Sequence, residues 1–371
     1  MNRRLRVLVV STPVGPIGSG VGGGVDMTIR ALTSGLATLG HRVEVVAPDG
    51  SATVGDVTHR VAGTAQPSIQ LVDRSTVVPS PVGSVLANMW SFARDRCTDF
   101  DVVLNLAYDE LPFHETFDLG RPVAHLVSMG SLTDAMDRAI DETLRLAPWS
   151  VAMHSNAQAG TFLRGAAATI VGSGVDVESC SFVDVPNADG RVAFVGRISA
   201  EKGLRDVVDA CVLARRPLHV WGYRQDENEW SEAVSGVPPH GVTYRGFVTT
   251  EILRSEIGEC AALVMAPKWT EAFGNVAIEA MACGVPVVSY RRGGPAEIVV
   301  DGETGYLVAP DDIPGLAGAL RNVGTLSRRA CRQRAETHFS TQAFAHRVEA
   351  WLQGVCGRSG RVDFSGTPLS F

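Results

Sequence analysis

Thr270-Glu-Ala-Phe-Gly-Asn-Val-Ala-Ile-Glu-Ala-Met-Ala-Cys-Gly-Val-Pro-Val-Val-Ser289 runs from a polar loop into a helix and then, across one glycine, into a β-branched stretch. Gly284 stands where a left-handed residue closes a helix, and Val285-Pro286-Val287-Val288 reads as a short buried strand. Helix, glycine and strand in immediate succession are the grammar of an α/β protein. Phe273, Gly274 and Asn275 open the helix ahead of Val276. Its free N–H groups and positive dipole end favour an anion there, and Gly274 permits close approach. If Glu271 and Glu279 are both helical they lie roughly 12 Å apart, at about 1.5 Å per residue. Carboxylates that attack one bond together sit about 5 to 9.5 Å apart, so this pair is expected to hold opposite ends of an elongated ligand. The plainer alternative is a surface helix with two solvated glutamates.

Arg191-Val-Ala-Phe-Val-Gly-Arg-Ile-Ser-Ala-Glu-Lys-Gly203 adds a strand ending at Gly196, a loop with Arg197 and Lys202, and a helix from about Gly203. The chain has only two lysines, Lys202 and Lys268, so a lysine in a glycine-flanked loop stands out against an arginine-based background. Charge-assisted bonds to phosphate oxygens contribute about 1.5 to 3 kcal/mol each, enough for two cations to anchor a diphosphate.

Working outward, apolar strand-like runs at 6–11, 43–47, 101–106, 122–127 and 150–154 alternate with helical patterns. A second series follows at 191–196, 217–222, 261–266 and 285–289. Each series opens with a strand that enters a glycine-containing loop. The expectation is two Rossmann-like domains with parallel sheets, facing a cleft. We expect a first domain over 1–172, a second over 173–338, a helix over 339–356 and a loose tail over 357–371. Residues 48–85 are rich in Pro, Ser, Thr and Val, and their weak periodicity supports no assignment.

Gly196-Arg-Ile-Ser-Ala-Glu-Lys-Gly203, followed some 70 residues later by Glu271-Ala-Phe-Gly-Asn-Val-Ala-Ile-Glu-Ala-Met-Ala-Cys-Gly-Val-Pro-Val-Val288, resembles the donor half of retaining nucleotide-sugar glycosyltransferases of family 4. The likeness continues through Gly293-Gly294-Pro295-Ala296-Glu297 and Asp301-Gly302-Glu303-Thr304-Gly305. More narrowly, the run is similar to actinobacterial antibiotic-pathway sugar transferases of the avilamycin type. The resemblance implies a GT-B architecture, with the acceptor mostly on the first domain, the donor on the second, and the last helix crossing back to the first. It implies that Arg197 and Lys202 hold the donor diphosphate and that Glu279 accepts hydrogen bonds from the ribose. Glu271 and the backbone at Phe273, Gly274, Asn275 and Val276 would face the transferred sugar and its phosphate. Gly22, Gly23, Gly24, Gly196 and Gly222 would leave room for the donor, and His125 would bond the sugar or assist the reaction. Retention and a UDP-linked donor are family-level expectations, and the donor is a substrate, so no cofactor is called for. A nucleotide-sugar hydrolase or epimerase could use the same cleft.

Composition narrows the rest. The chain has 371 residues, 45% apolar, and a formal charge of −7, which argues against general nucleic-acid binding and against anchoring to anionic lipid. No apolar run reaches 18 residues, and seven scattered cysteines form neither a disulfide ladder nor a C-x-x-C pair, which fits a reducing cytoplasm. Gly18-Ser-Gly-Val-Gly-Gly23 satisfies G-x-G-x-x-G formally, but Thr12-Pro-Val-Gly-Pro-Ile17 intervenes after the strand, so a mobile loop reaching the cleft is the better reading, with plain flexible-loop filler as the alternative. Asp99-Phe-Asp101 has metal-binding spacing, yet Asp101 leads into the run Val102-Val-Leu-Asn-Leu106, so the carboxylates are expected to cap that strand and no metal is expected. His125 is equally readable as a buried, hydrogen-bonded core residue. His154 is a weaker candidate. Asp134, Asp137, Asp141 and Glu142 read as a solvated acidic helix face.

Overall fold

The computed structural model describes residues 3–66, 70, 72–76, 81–238 and 241–359, and these divide into two compact units. Unit 1 comprises Met1–Gly174 with Thr341–Phe371, and unit 2 comprises Val175–Ser340.

Unit 1 is built on seven parallel strands: β1 (Arg6–Val10), β2 (Arg42–Pro48), β3 (Val57–Val61), β4 (Val102–Asn105), β5 (Val123–Val127), β6 (Val151–Met153) and β7 (Thr169–Ile170). They lie in the order β3-β2-β1-β4-β5-β6-β7. The two-residue period of a strand splits β1 between two cores. Val7 and Val9 pack with Ile29, Leu32 and Leu36 of the helix Gly24–Thr38. Leu8 and Val10 pack with Leu86, Met89 and Trp90 of the helix Val85–Arg96. The final helix, Thr341–Ser359, returns to this unit and inserts Phe344, Val348, Trp351 and Leu352 into the first of these cores. It lies against the helix Gly24–Thr38 so closely that a Cβ at Gly35 would stand 2.6 Å from Ala345 Cβ.

Unit 2 carries six parallel strands: β8 (Val192–Val195), β9 (Leu218–Trp221), β10 (Val242–Gly246), β11 (Leu263–Met265), β12 (Val287–Tyr290) and β13 (Gly305–Val308), in the order β10-β9-β8-β11-β12-β13. One face packs Ala193, Leu263 and Val287 with Ala277, Ile278 and Met281 of the helix Asn275–Ala282. The other packs Phe194, Val264 and Val288 with Val207, Val208, Leu316 and Leu320. Both sheets reverse their strand order beside the first strand, between β1 and β4 and between β8 and β11, where an open α/β sheet leaves a crevice at the strands' carboxyl ends.

Two expectations need correction. Glu271 lies in the loop before the helix, which starts at Asn275, so the 12 Å helical spacing to Glu279 does not apply. The acidic helix face is only partly solvated: Arg74 pairs with Asp134 at 2.8 Å and with Asp137, and Ser131 donates to Asp137 at 2.7 Å. Asp101 does close the start of its strand, accepting the Arg6 backbone N–H at 2.8 Å while pairing with the Arg3 guanidinium at 2.7 Å.

Candidate active site

Unit 2 assembles its polar groups at the carboxyl ends of β8 and β11, the two strands flanking the switch point. The loop after β8 carries Arg197 and Lys202, and the loop after β11 carries Lys268, Trp269 and Glu271. Because those strands are hydrogen-bonded neighbours, residues far apart in sequence meet. Lys202 Nζ donates to Glu271 Oε2 at 2.5 Å, and both side chains are mostly buried, 23% and 13% exposed. The Trp269 indole N–H donates to the same oxygen at 3.1 Å, and Lys202 Nζ lies 5.1 Å from the centroid of the Trp269 ring. Burial alone would push the Glu271 carboxyl up. The Lys202 charge and hydrogen bond outweigh it, with help from Trp269 and Arg197, and hold the group below the ordinary carboxylate range.

Arg197 is held by its own neighbourhood, bonding Glu201 at 3.0 Å and Gln225 at 2.8 Å. At the ends of the adjacent strands, Gly196 donates to Trp221 O at 3.0 Å. Gly222 has φ 137°, and a Cβ there would stand 1.9 Å from Gly196 O, so only glycine lets β8 and β9 deliver their loops this close together.

The helix Asn275–Ala282 begins after Gly274, which takes a left-handed φ of 95°. Phe273 turns its ring into the core, edge-on to Phe339 at 6.0 Å, and is 7% exposed, so this residue has only its backbone to offer a ligand. Glu279, on the same helix, is 4% exposed, and its Oε1 accepts from Arg254 Nε at 3.3 Å. Burial raises its carboxyl above the ordinary range despite Arg254.

The remaining candidates belong to unit 1. His125 is fully buried on β5, stacked on Phe113 with centroids 4.2 Å apart. Its Nε2 meets Thr116 Oγ1 at 2.8 Å and its Nδ1 meets Asn105 Nδ2 at 3.3 Å, and burial pushes it down to about 3, so it is a neutral ring enclosed by partners. His154 is buried too, with Nδ1 2.7 Å from Gly172 O. Gly22 and Gly23 lie in the turn that enters the first helix, and Gly24 is the first residue of that helix. Beneath the turn Asp26 accepts from the Gly18 N–H at 3.0 Å, and a Cβ at Gly22 would stand 2.2 Å from Asp26 Oδ1.

Two residues that sequence reasoning missed, Trp269 and Arg254, touch the candidates directly. Trp269 had a local signal, an aromatic residue amid the polar segment Lys268-Trp-Thr-Glu271. Arg254 had none, since its partner sits 25 residues away. Among the described residues no group of three His, Cys, Asp or Glu is placed to hold a metal ion. Among them also, no helix is long and apolar enough to cross a membrane. A cavity of about 620 Å³ opens at the opposite, amino-terminal end of the second sheet, but the buried Arg328 that lines it is committed to the carbonyls of Val183, Gly258 and Cys260.

Residues 189–325, most of unit 2, match the family model described as "Glycosyl transferases group 1". A glycogen synthase of Mycobacterium tuberculosis is 31% identical over 192 residues, which cover 48% of this chain and 46% of that protein. A D-inositol 3-phosphate glycosyltransferase of Mycolicibacterium vanbaalenii is 37% identical over 99 residues, 27% of this chain and 22% of that protein. The chain thus spans less than half the length of these relatives. Among solved structures, AviGT4, a glycosyltransferase involved in avilamycin A biosynthesis, superposes with a TM-score of 0.69 at 20% identity over 95% of this chain and 98% of that one. HepE of Anabaena in complex with UDP gives 0.69 at 18% identity over 94% and 100%. Likeness at such identities speaks to the fold, which is GT-B.

Proposed function

We propose that this GT-B chain, whose second unit is a group 1 glycosyl transferase domain, moves a sugar from a UDP-linked donor to a small-molecule acceptor, an antibiotic intermediate or an oligosaccharide, with retention at the anomeric carbon. The observation that carries the reading is the Lys202–Glu271 pair at the switch point, beside the start of the helix Asn275–Ala282. Breaking the bond between the anomeric carbon and the diphosphate places negative charge on the leaving group. Fixed donors aimed at that charge supply most of the catalysis. Lys202, Arg197 and the N–H groups at 273–275 are those donors, and no metal is needed to neutralise the charge. Glu271, kept ionised by Lys202 and Trp269, accepts hydrogen bonds from the transferred sugar and keeps the ammonium in place before the diphosphate arrives. Glu279 takes the ribose hydroxyls at the other end of the donor. UDP is favoured because the HepE structure of the same fold was solved with it.

A thermal-shift series with UDP, GDP, dTDP and ADP and their sugars tests the donor, since a ligand that binds the folded state raises the melting point by mass action. Turnover of the responding sugar nucleotide with and without acceptors then tests the reaction. No shift with any nucleotide rejects the donor site. Full-rate release of free sugar without an acceptor identifies a hydrolase instead.

A further inference from the structure

Glu279 and Arg254 form the most deeply buried ion pair of unit 2 that lies on a proposed ligand-binding residue, with side chains 6% and 12% exposed. The pair is lopsided. Arg254 Nε, from the helix Thr250–Gly258, donates to Oε1 at 3.3 Å, while Oε2 has no hydrogen-bond partner among the described residues. The guanidinium is itself fixed, because its Nη1 donates to Ser179 Oγ at 2.5 Å. Among the described residues Arg254 is the one cation within ion-pair distance of Glu279, and the other titratable groups facing the carboxylate are the thiols of Cys180 and Cys283.

A carboxylate in such a place is pulled two ways. Burial favours the protonated acid, and only Arg254, by its charge and its hydrogen bond, opposes it. The two forms differ in what they recognise: the ionised group only accepts hydrogen bonds, with about four lone-pair positions, whereas the acid spends one oxygen as a donor. A vicinal diol offers two O–H donors, so it matches the ionised form.

We propose that Arg254 is a positioning residue for the nucleoside: by occupying Oε1 and keeping Glu279 charged, it reserves Oε2 and the remaining lone pairs for a ribose 2′,3′-diol, and so makes the site select ribonucleotide over 2′-deoxyribonucleotide donors. This rests on the donor-site reading above and adds a residue and a selectivity to it.

The test is calorimetric titration of UDP and of 2′-deoxy-UDP into the full chain between pH 6 and 9. Wild-type protein binds UDP about 10- to 100-fold more tightly than the deoxy analogue, the effect of one hydrogen bond to a charged acceptor. Arg254→Leu loses most of that ratio at pH 7 and regains part of it as the pH rises and Glu279 ionises. Arg254→Lys keeps the ratio. Should the leucine variant fail to fold, Arg254→Gln, which retains a donor but no charge, gives the same readout. A ratio and pH profile unchanged in Arg254→Leu or Arg254→Gln overturn the proposal. So does an equal loss of affinity for both nucleotides, the mark of a purely structural residue. Wild-type protein that binds neither nucleotide overturns the donor site itself, and this inference with it.

Discussion

Lys202 Nζ lies 2.5 Å from Glu271 Oε2 although 69 residues separate them in sequence. The meeting follows from strand order: β8 and β11 are neighbours, so the loops leaving their carboxyl ends must converge. A lysine and a glutamate unremarkable in their own segments become one unit, with Trp269 bonded to the acid and its ring beneath the base.

On the proposed reading, replacing Lys202 with alanine removes one preorganised donor from the leaving diphosphate. Turnover of the sugar nucleotide should fall roughly 100- to 1000-fold. Steady-state rates on purified protein check this, and wild-type turnover in the variant would remove this loop from the mechanism.

The same pair makes stability depend on pH in a definite direction. Glu271 is held below its ordinary value of 4.5 in the folded state, so the folded protein binds fewer protons there than the unfolded chain. The contribution is therefore present above about pH 4.5 and is lost as the pH falls through the depressed value. Lys202→Met should lower the melting temperature at pH 7, and the gap from wild type should close as the pH falls through the depressed value and Glu271 becomes protonated in both proteins. A gap independent of pH would show that the pair is not the source.

Trp269→Phe keeps an aromatic face for the ammonium and deletes only the N–H bonded to Glu271. We expect kcat to fall about tenfold, the worth of a bond to a charged acceptor, and the acid limb of the kcat/KM profile to move to higher pH. An unmoved acid limb would leave the indole N–H without a role at Glu271.

Gly222→Ala should cost at least about 2 kcal/mol, because the new Cβ would stand 1.9 Å from a backbone oxygen that cannot step aside. In a unit of this size that is roughly a 4–8 °C drop in Tm. Calorimetry of the variant is the check, and an unchanged Tm would show that β8 and β9 can separate at no cost.

The nine strand runs visible in the sequence are the nine interior strands of the two sheets, and the four that escaped notice, β3, β7, β10 and β13, are the four edges. The reason is physical. An interior strand of a parallel sheet is buried on both faces and reads as an unbroken apolar run, as in Val102–Asn105 or Val287–Tyr290. Edge strands such as Val242–Gly246 stay half-exposed, mix Thr, Tyr and Arg into the pattern, and so resemble loop. The segment 48–85 hid β3 for that reason. At the site, the helix start at Asn275 and the cations at 197 and 202 were legible because glycines and charges mark them locally. The grip of Arg254 on Glu279 was not, since it depends on two helices packing side by side. His125 was legible only as a strand-end residue, and the enclosure of both its nitrogens is a tertiary fact.

The helix Thr341–Ser359 fills the core of unit 1, yet the whole of unit 2 precedes it along the chain. During synthesis, then, the unit begun first is finished last. Residues 175–340 can complete their own core while the earlier sheet still waits, its apolar slot for Phe344, Val348 and Trp351 open to chaperones, until residues 341–359 have left the ribosome.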